Sequence, residues 1–135
     1  MSQENVETVQ RLVEAWNADD LDAYLAEFDA DLEYHPSIEP RLEGGATIYR
    51  GHDGVRKAWR EYRGEAWERL ITRPQEFRDL GKSVLVLGQI DFTARTTGIE
   101  FSQELGQLVE FREGKIVRVR DFLNPYGSPR SRRAE

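Results

Sequence analysis

Cysteine is absent from this 135-residue chain, methionine occurs once and histidine twice. Without cysteine there is neither a disulfide framework nor a thiolate nucleophile. Two histidines alone are a poor donor set for structural zinc, so neither a metal nor a cofactor is expected. Positive charge is also in deficit: 25 acidic against 19 basic residues leave a formal net charge of −6. Nucleic acid and anionic membranes both call for a basic face, so neither is expected as a partner. The opening MSQENVETVQ lacks the apolar stretch of a signal peptide, and no run in the chain reaches the length of a membrane span. The expectation from these absences is a soluble, cytoplasmic protein.

What is present is a composition that folds. Hydrophobic residues at 39% and aromatic residues at 10%, with three tryptophans, supply the core that a disordered chain lacks. The length suits one domain. Val6, Val9, Leu12, Val13 and Trp16 recur at helical spacing and predict a first helix over about residues 4–18. Asn17-Ala18-Asp19-Asp20 ends it, and Asp19 or Asp20 can cap a second helix over about 20–28, marked by Leu21, Tyr24, Leu25 and Phe28. Residues 31–35 read as a short strand stopped by Pro36, and 36–51, rich in proline and glycine, as a loop. Val55, Ala58, Trp59 and Tyr62 predict a third helix over about 53–63, begun by His52 and Asp53. Strand then follows strand, with turns at Gly81-Lys82, Thr97-Gly98 and Glu113-Gly114. This order is α+β: a cone in which three helices pack into the concavity of a bent antiparallel sheet, with Gly88 and Gly106 as bending points. Residues 128–135 read as a disordered basic tail.

Two aspartates interrupt otherwise apolar strand patterns. In SVLVLGQIDFTART, Leu85, Leu87, Gln89, Asp91 and Thr93 share one face, and Val84, Val86, Ile90 and Phe92 the other. In KIVRVRDFLNP, Val117, Val119, Asp121 and Leu123 share a face opposite Ile116, Arg118, Arg120 and Phe122. A carboxylate among Val and Leu is costly unless it is hydrogen-bonded, paired or at a cavity. Asp121 therefore reads either as a pocket base or as the anchor of a salt bridge. Asp91 and Gln89 enter the cavity only if the Leu85 face looks inward; otherwise Asp91 is a surface residue. Gln103 and Gln107 lie on an apolar face with Phe101, Leu105, Val109 and Phe111, where a ligand, water or Asp121 would satisfy them.

The runs VQRLVEAWNADDLDAYLAEFDADLEYHP, YRGHDGVRKAW and VEFREGKIVRVRDFLNP resemble the nuclear transport factor 2-like superfamily in its SnoaL-like branch. That branch includes polyketide cyclases and relatives of ketosteroid isomerase and limonene epoxide hydrolase. The resemblance covers about residues 4–126 and implies a cystatin-like α+β barrel, a SnoaL-like domain over 1–127, and a homodimer. It matches Asp121 to the last-strand aspartate of the cyclases, and Asp121 with Asp91 to the two aspartates of the epoxide hydrolase triad. Where the hydrolases carry arginine this chain has Gln89. Against ketosteroid isomerase, the helix-one tyrosine falls on Leu12, the general base on His35 and the second acid near Gln107, so that enzyme's oxyanion hole is missing.

The functional expectation is an enzyme, or an enzyme-like domain, for a small, largely apolar organic molecule. Asp121 is the expected general acid or base, assisted by His35, a neutral-pH proton carrier held extended before Pro36. Asp91, Gln89 and Gln107 orient substrate or water, and Gln103, Tyr34, Trp16, Trp59 and Phe101 complete the wall. Isomerisation, cyclisation beside a carbonyl and water addition all fit this inventory. The alternative is a non-catalytic ligand-binding or dimerisation module. Arg118 and Arg120 against Glu100, Glu104 and Glu110 offer a self-complementary outer face for a two-fold contact.

Overall fold

The computed structural model describes residues 2–36 and 48–123. The proposed tail and most of the 36–51 loop lie outside the described residues. Helix α1 (Ser2–Asn17) is followed by a short α2 (Leu21–Leu25), strand β1 (Phe28–His35), a two-residue β2 (Tyr49–Arg50) and helix α3 (Gly51–Trp59). A π-helical segment (Arg60–Ala66) extends α3, and four long strands complete the chain: β3 (Trp67–Asp79), β4 (Ser83–Ala94), β5 (Glu100–Arg112) and β6 (Lys115–Leu123). β1 begins three residues before the predicted start, β2 replaces the end of the predicted loop, and α2 is shorter than predicted.

The helix boundaries have local causes. Asp19 takes a left-handed conformation (φ 60°) just past α1, where such a residue closes a helix. The Asp20 side chain then caps α2 by accepting the Ala23 N–H at 3.2 Å. His52 Nε2 lies 3.1 Å from the Phe28 carbonyl, which ties the start of α3 to β1. Glu113 and Gly114 both have positive φ, the geometry that closes a tight two-residue hairpin between β5 and β6.

The six strands form one sheet in the order β2-β1-β6-β5-β4-β3. All neighbours are antiparallel except β1 and β6, which run parallel. The sheet bends where β3 is bulged between Pro74 and Glu76, opposite Gly88. A Cβ on Gly88 would collide with the Arg73 carbonyl and lie 2.8 Å from Pro74 Cα, so β3 can cross here only over glycine.

Within the concavity the predicted apolar stripes meet. Val9, Leu12 and Val13 of α1, Leu25 of α2 and Val55 of α3 are buried against Val84, Val86, Val109, Ile116 and Val119 of the sheet. Val84 and Val86 are fully buried, so the even-numbered face of β4 looks inward and the Leu85 face looks out. Near Val84, Val109 and Ile116 the cone is solid. Towards the other end of the strands it is hollow.

Candidate active site

The hollow end is a cavity of about 60 Å³, room for several waters or a compact ligand. Leu12, Val13 and Trp16 of α1 and Tyr24 of α2 form one wall, and Tyr62 of the π-helical segment closes another. The sheet contributes Tyr34, Trp67, Leu70, Thr72, Ile90, Phe92, Leu105, Gln107 and Asp121. Trp16, Tyr24, Tyr34 and Tyr62 also border a smaller chamber of about 10 Å³ backed by Phe28, Val55, Ala58 and Trp59.

Asp121 is the carboxylate of this lining. It stands opposite Gln107 across the β5–β6 ladder, and the adjacent Val119 stands opposite Tyr34 across the β6–β1 ladder. Both neighbours reach it: Tyr34 donates its hydroxyl to Oδ2 at 2.6 Å, and Gln107 donates its amide to Oδ1 at 2.8 Å. Burial pushes the Asp121 carboxyl above its ordinary range, against the pull of those two hydrogen bonds. Tyr34 is pushed far up by burial and by the Asp121 charge, and Tyr24 is raised by the same two causes. Both tyrosines therefore stay neutral. Tyr34 and Gln107 together fix the plane of the Asp121 carboxyl.

The aromatic wall is held from outside by charged groups. The Arg63 guanidinium sits 4.7 Å from the Trp16 ring centroid and 5.2 Å from that of Trp59. Its Nε is 3.1 Å from Asp19 Oδ1, which also accepts the Trp59 indole N–H at 3.1 Å. Trp16 and Trp59 meet edge to face at 5.2 Å. The buried indole N–H of Trp16 has no acceptor among the described residues.

Of the residues proposed from sequence, Asp121, Gln107, Tyr34 and Trp16 meet at the cavity. Asp91 and Gln89 do not. With Val84, Val86 and Phe92 buried inside, both point to the convex face. There Asp91 pairs with Arg73 at 3.0 Å and accepts the Ser102 hydroxyl at 2.6 Å, and Gln89 accepts from Arg73 at 3.1 Å. His35 also faces out, because Tyr34 takes the inward position; it lies 3.2 Å from Glu33. Gln103, opposite Ile90, is on the concave side of β5 but outside the cavity lining. Trp59 borders only the smaller chamber, and Phe101 stacks on Phe92 at 4.9 Å with much of its own surface exposed. Arg118 and Arg120 do face outward, where both reach Glu110 of the same chain, at 3.3 and 2.6 Å.

Sequence reasoning did not place Tyr24, Trp67, Leu70 or Thr72 at the site. Tyr24 shares a helix face with Leu21 and Leu25 and reads as core. The β3 residues become legible only once the facing of β4 is known, since Leu70 and Thr72 pair with Phe92 and Ile90. No helix among the described residues is long and apolar enough to cross a membrane. No cluster of three or more metal-ligating side chains occurs among them either.

The SnoaL-like domain model matches residues 9–119, most of the chain, and ends two residues before Asp121. The chain belongs to that family. This SnoaL-like protein is 30% identical over 97 residues to uncharacterized protein YesE of Bacillus subtilis; the match spans 70% of this chain and 61% of YesE, under two thirds of its length. Among solved structures it resembles a nuclear transport factor 2-like protein of unknown function from Burkholderia pseudomallei, with a TM-score of 0.79 and 25% identity over 90% of this chain and 91% of that one. It also shares its fold with TerC, co-crystallised with polyporic acid, at a TM-score of 0.79 and 20% identity over 91% of this chain and 93% of TerC.

Proposed function

We propose that this SnoaL-like protein binds a small organic molecule in the cavity of its cone and acts on it by acid–base chemistry at Asp121. One observation carries the reading: a carboxylate, held by two neutral donors, stands in a wall that is otherwise mainly apolar and aromatic. Such surroundings raise the pKa of a carboxyl above its ordinary range, which suits it to take and return a proton. A carboxyl buried for structure alone would be expected in a filled cone rather than facing a hollow. Isomerisation, cyclisation or water addition would each use one group that takes a proton at one atom and returns it at another. TerC, a fold neighbour, was co-crystallised with polyporic acid, which supports an organic ligand for this fold without fixing its charge or identity.

We also propose a homodimer, the assembly that the superfamily resemblance implies. Phe122 is 53% exposed on the convex face, beside Leu87 across Gly106, and this apolar patch supports the convex sheet as the contact.

The functional test compares the chain with Asp121→Asn against a panel of small carbonyl and epoxide compounds. Conversion by the wild type that falls about a hundredfold or more in the variant supports the reading. Equal conversion by both removes Asp121 as the acid–base group, and saturable binding without conversion by either favours a ligand-binding module instead.

A further inference from the structure

We infer that the molecule taken by this cavity carries a positive charge: it is a compact organic ammonium, seated among the aromatic rings with Asp121 as its counter-ion. The inference rests on the cavity being the small-molecule site. A carboxylate withdrawn from water is normally answered by a cation. Asp121 receives only the Tyr34 hydroxyl and the Gln107 amide, both neutral. No lysine, arginine or histidine lines the cavity among the described residues. Two hydrogen bonds also leave lone pairs on the carboxylate free to accept an N–H. The ligand supplies the charge that the described residues leave out.

The walls suit the same ligand. Trp16, Tyr24, Tyr34, Tyr62, Trp67 and Phe92 line the space, and aromatic ring faces carry the negative end of a quadrupole. The partition already takes a cation on its other side, where Arg63 lies 4.7 Å from Trp16 and 5.2 Å from Trp59. Arg63 has its own counter-ion in Asp19, at 3.1 Å, and so does not serve Asp121. A cation on aromatic rings beside an aspartate is thus already built once into this wall, and the cavity offers the same arrangement to a ligand. At about 60 Å³ the space favours a small alkylated head group over an extended chain.

The test follows the Gln107 side-chain amide and the indole N–H signals by NMR as the full chain is titrated near neutral pH, at constant ionic strength. The probes are trimethylammonium chloride, tetramethylammonium chloride and neutral tert-butyl alcohol. Both ammonium ions are expected to bind about tenfold more tightly than the alcohol, with the gap shrinking to about twofold in Asp121→Asn. Should that variant not fold, the wild type at falling pH replaces it. Ammonium affinity then drops as Asp121 takes up its proton, while binding of the alcohol holds. Among the described residues the groups facing Asp121 are Tyr34 from β1, Gln107 from β5 and Tyr24 from α2, and none of them changes charge over that range. Equal binding of the alcohol, or no saturable shift with either ammonium ion, overturns the inference. The carbon shift of the Asp121 carboxyl separates the two readings. Raised titration without ammonium preference removes this inference and leaves the acid–base reading standing; ordinary titration with the preference kept does the reverse.

Discussion

Asp121 accepts two hydrogen bonds from neutral groups and pairs with no cation among the described residues, so its ionised form is disfavoured in the folded chain. Its raised pKa makes a statement about stability. Between the ordinary aspartate value and the folded one, the folded state holds more protons than the unfolded state. The contribution of Asp121 is thus fully present at acid pH, below the unfolded pKa, and is lost as pH rises through the folded pKa. Asp121→Asn removes that loss, so above the folded pKa the variant is expected to melt at the same temperature as the wild type or higher; a clear drop there would mean the charge itself is structural. Tyr34→Phe takes away one donor to the carboxylate and is expected to raise the Asp121 pKa further, read by carboxyl carbon shifts, at a stability cost of about 0.5–1.5 kcal/mol. Asp121 and Gln107 were legible in the sequence because each is a polar residue breaking an apolar face. Asp91 breaks a pattern of the same kind, yet both faces of β4 are apolar, and only the burial of Val84 and Val86 shows which is inside. His35 was misplaced for a related reason: facing along β1 depends on its parallel pairing with β6, which local pattern does not reveal.

At the scale of elements, the period of the apolar residues set α1 and the core of α3, and glycine-bearing turns set the ends of the long strands. Two features left no periodic trace. The widening of α3 into a π-helical segment at Arg60 brings Tyr62 to the cavity, and such segments recur at functional sites. The other is the β3 bulge, which answers Gly88 from a different strand. Gly88 was legible as a bending point, but its partner at Pro74 was not. Gly88→Ala would force the β3 backbone away from β4 and is expected to destabilise the fold by about 1–3 kcal/mol, the usual range for overpacking. Gly106→Ala, whose Cβ would meet its nearest atoms at 3.8 Å, should cost far less. Equal denaturant midpoints for the two variants would show that the crossing yields more readily than its geometry indicates.

At the scale of the molecule, the convex face carries its charges in internal pairs. Glu110 takes both Arg118 and Arg120, and Glu33 takes Arg50. Charge complementarity across a two-fold axis, which with the family resemblance suggested a dimer from the sequence, is thus largely used up within one chain. The proposed contact rests on Phe122 and its apolar neighbours instead. Phe122→Glu is expected to convert a dimer to a monomer by light scattering, without changing the circular dichroism of the fold; a wild type that scatters as a monomer would remove the proposal. One rim of the sheet is β3, a thirteen-residue strand whose outer side pairs with no strand among the described residues. Asn17 donates to the Thr72 carbonyl and accepts the Thr72 N–H, both at 2.8 Å, copying the bonds an added strand would make. Arg63 takes the Leu70 carbonyl at 3.1 Å, and two residues beyond Thr72 the proline at 74 has no N–H to offer. The end of α1 thereby acts as a stopper against runaway self-association, since an open edge is a template on which further copies can stack into insoluble assemblies. Asn17→Ala uncovers it, and light scattering on mild heating should then rise well before the wild type begins to cloud.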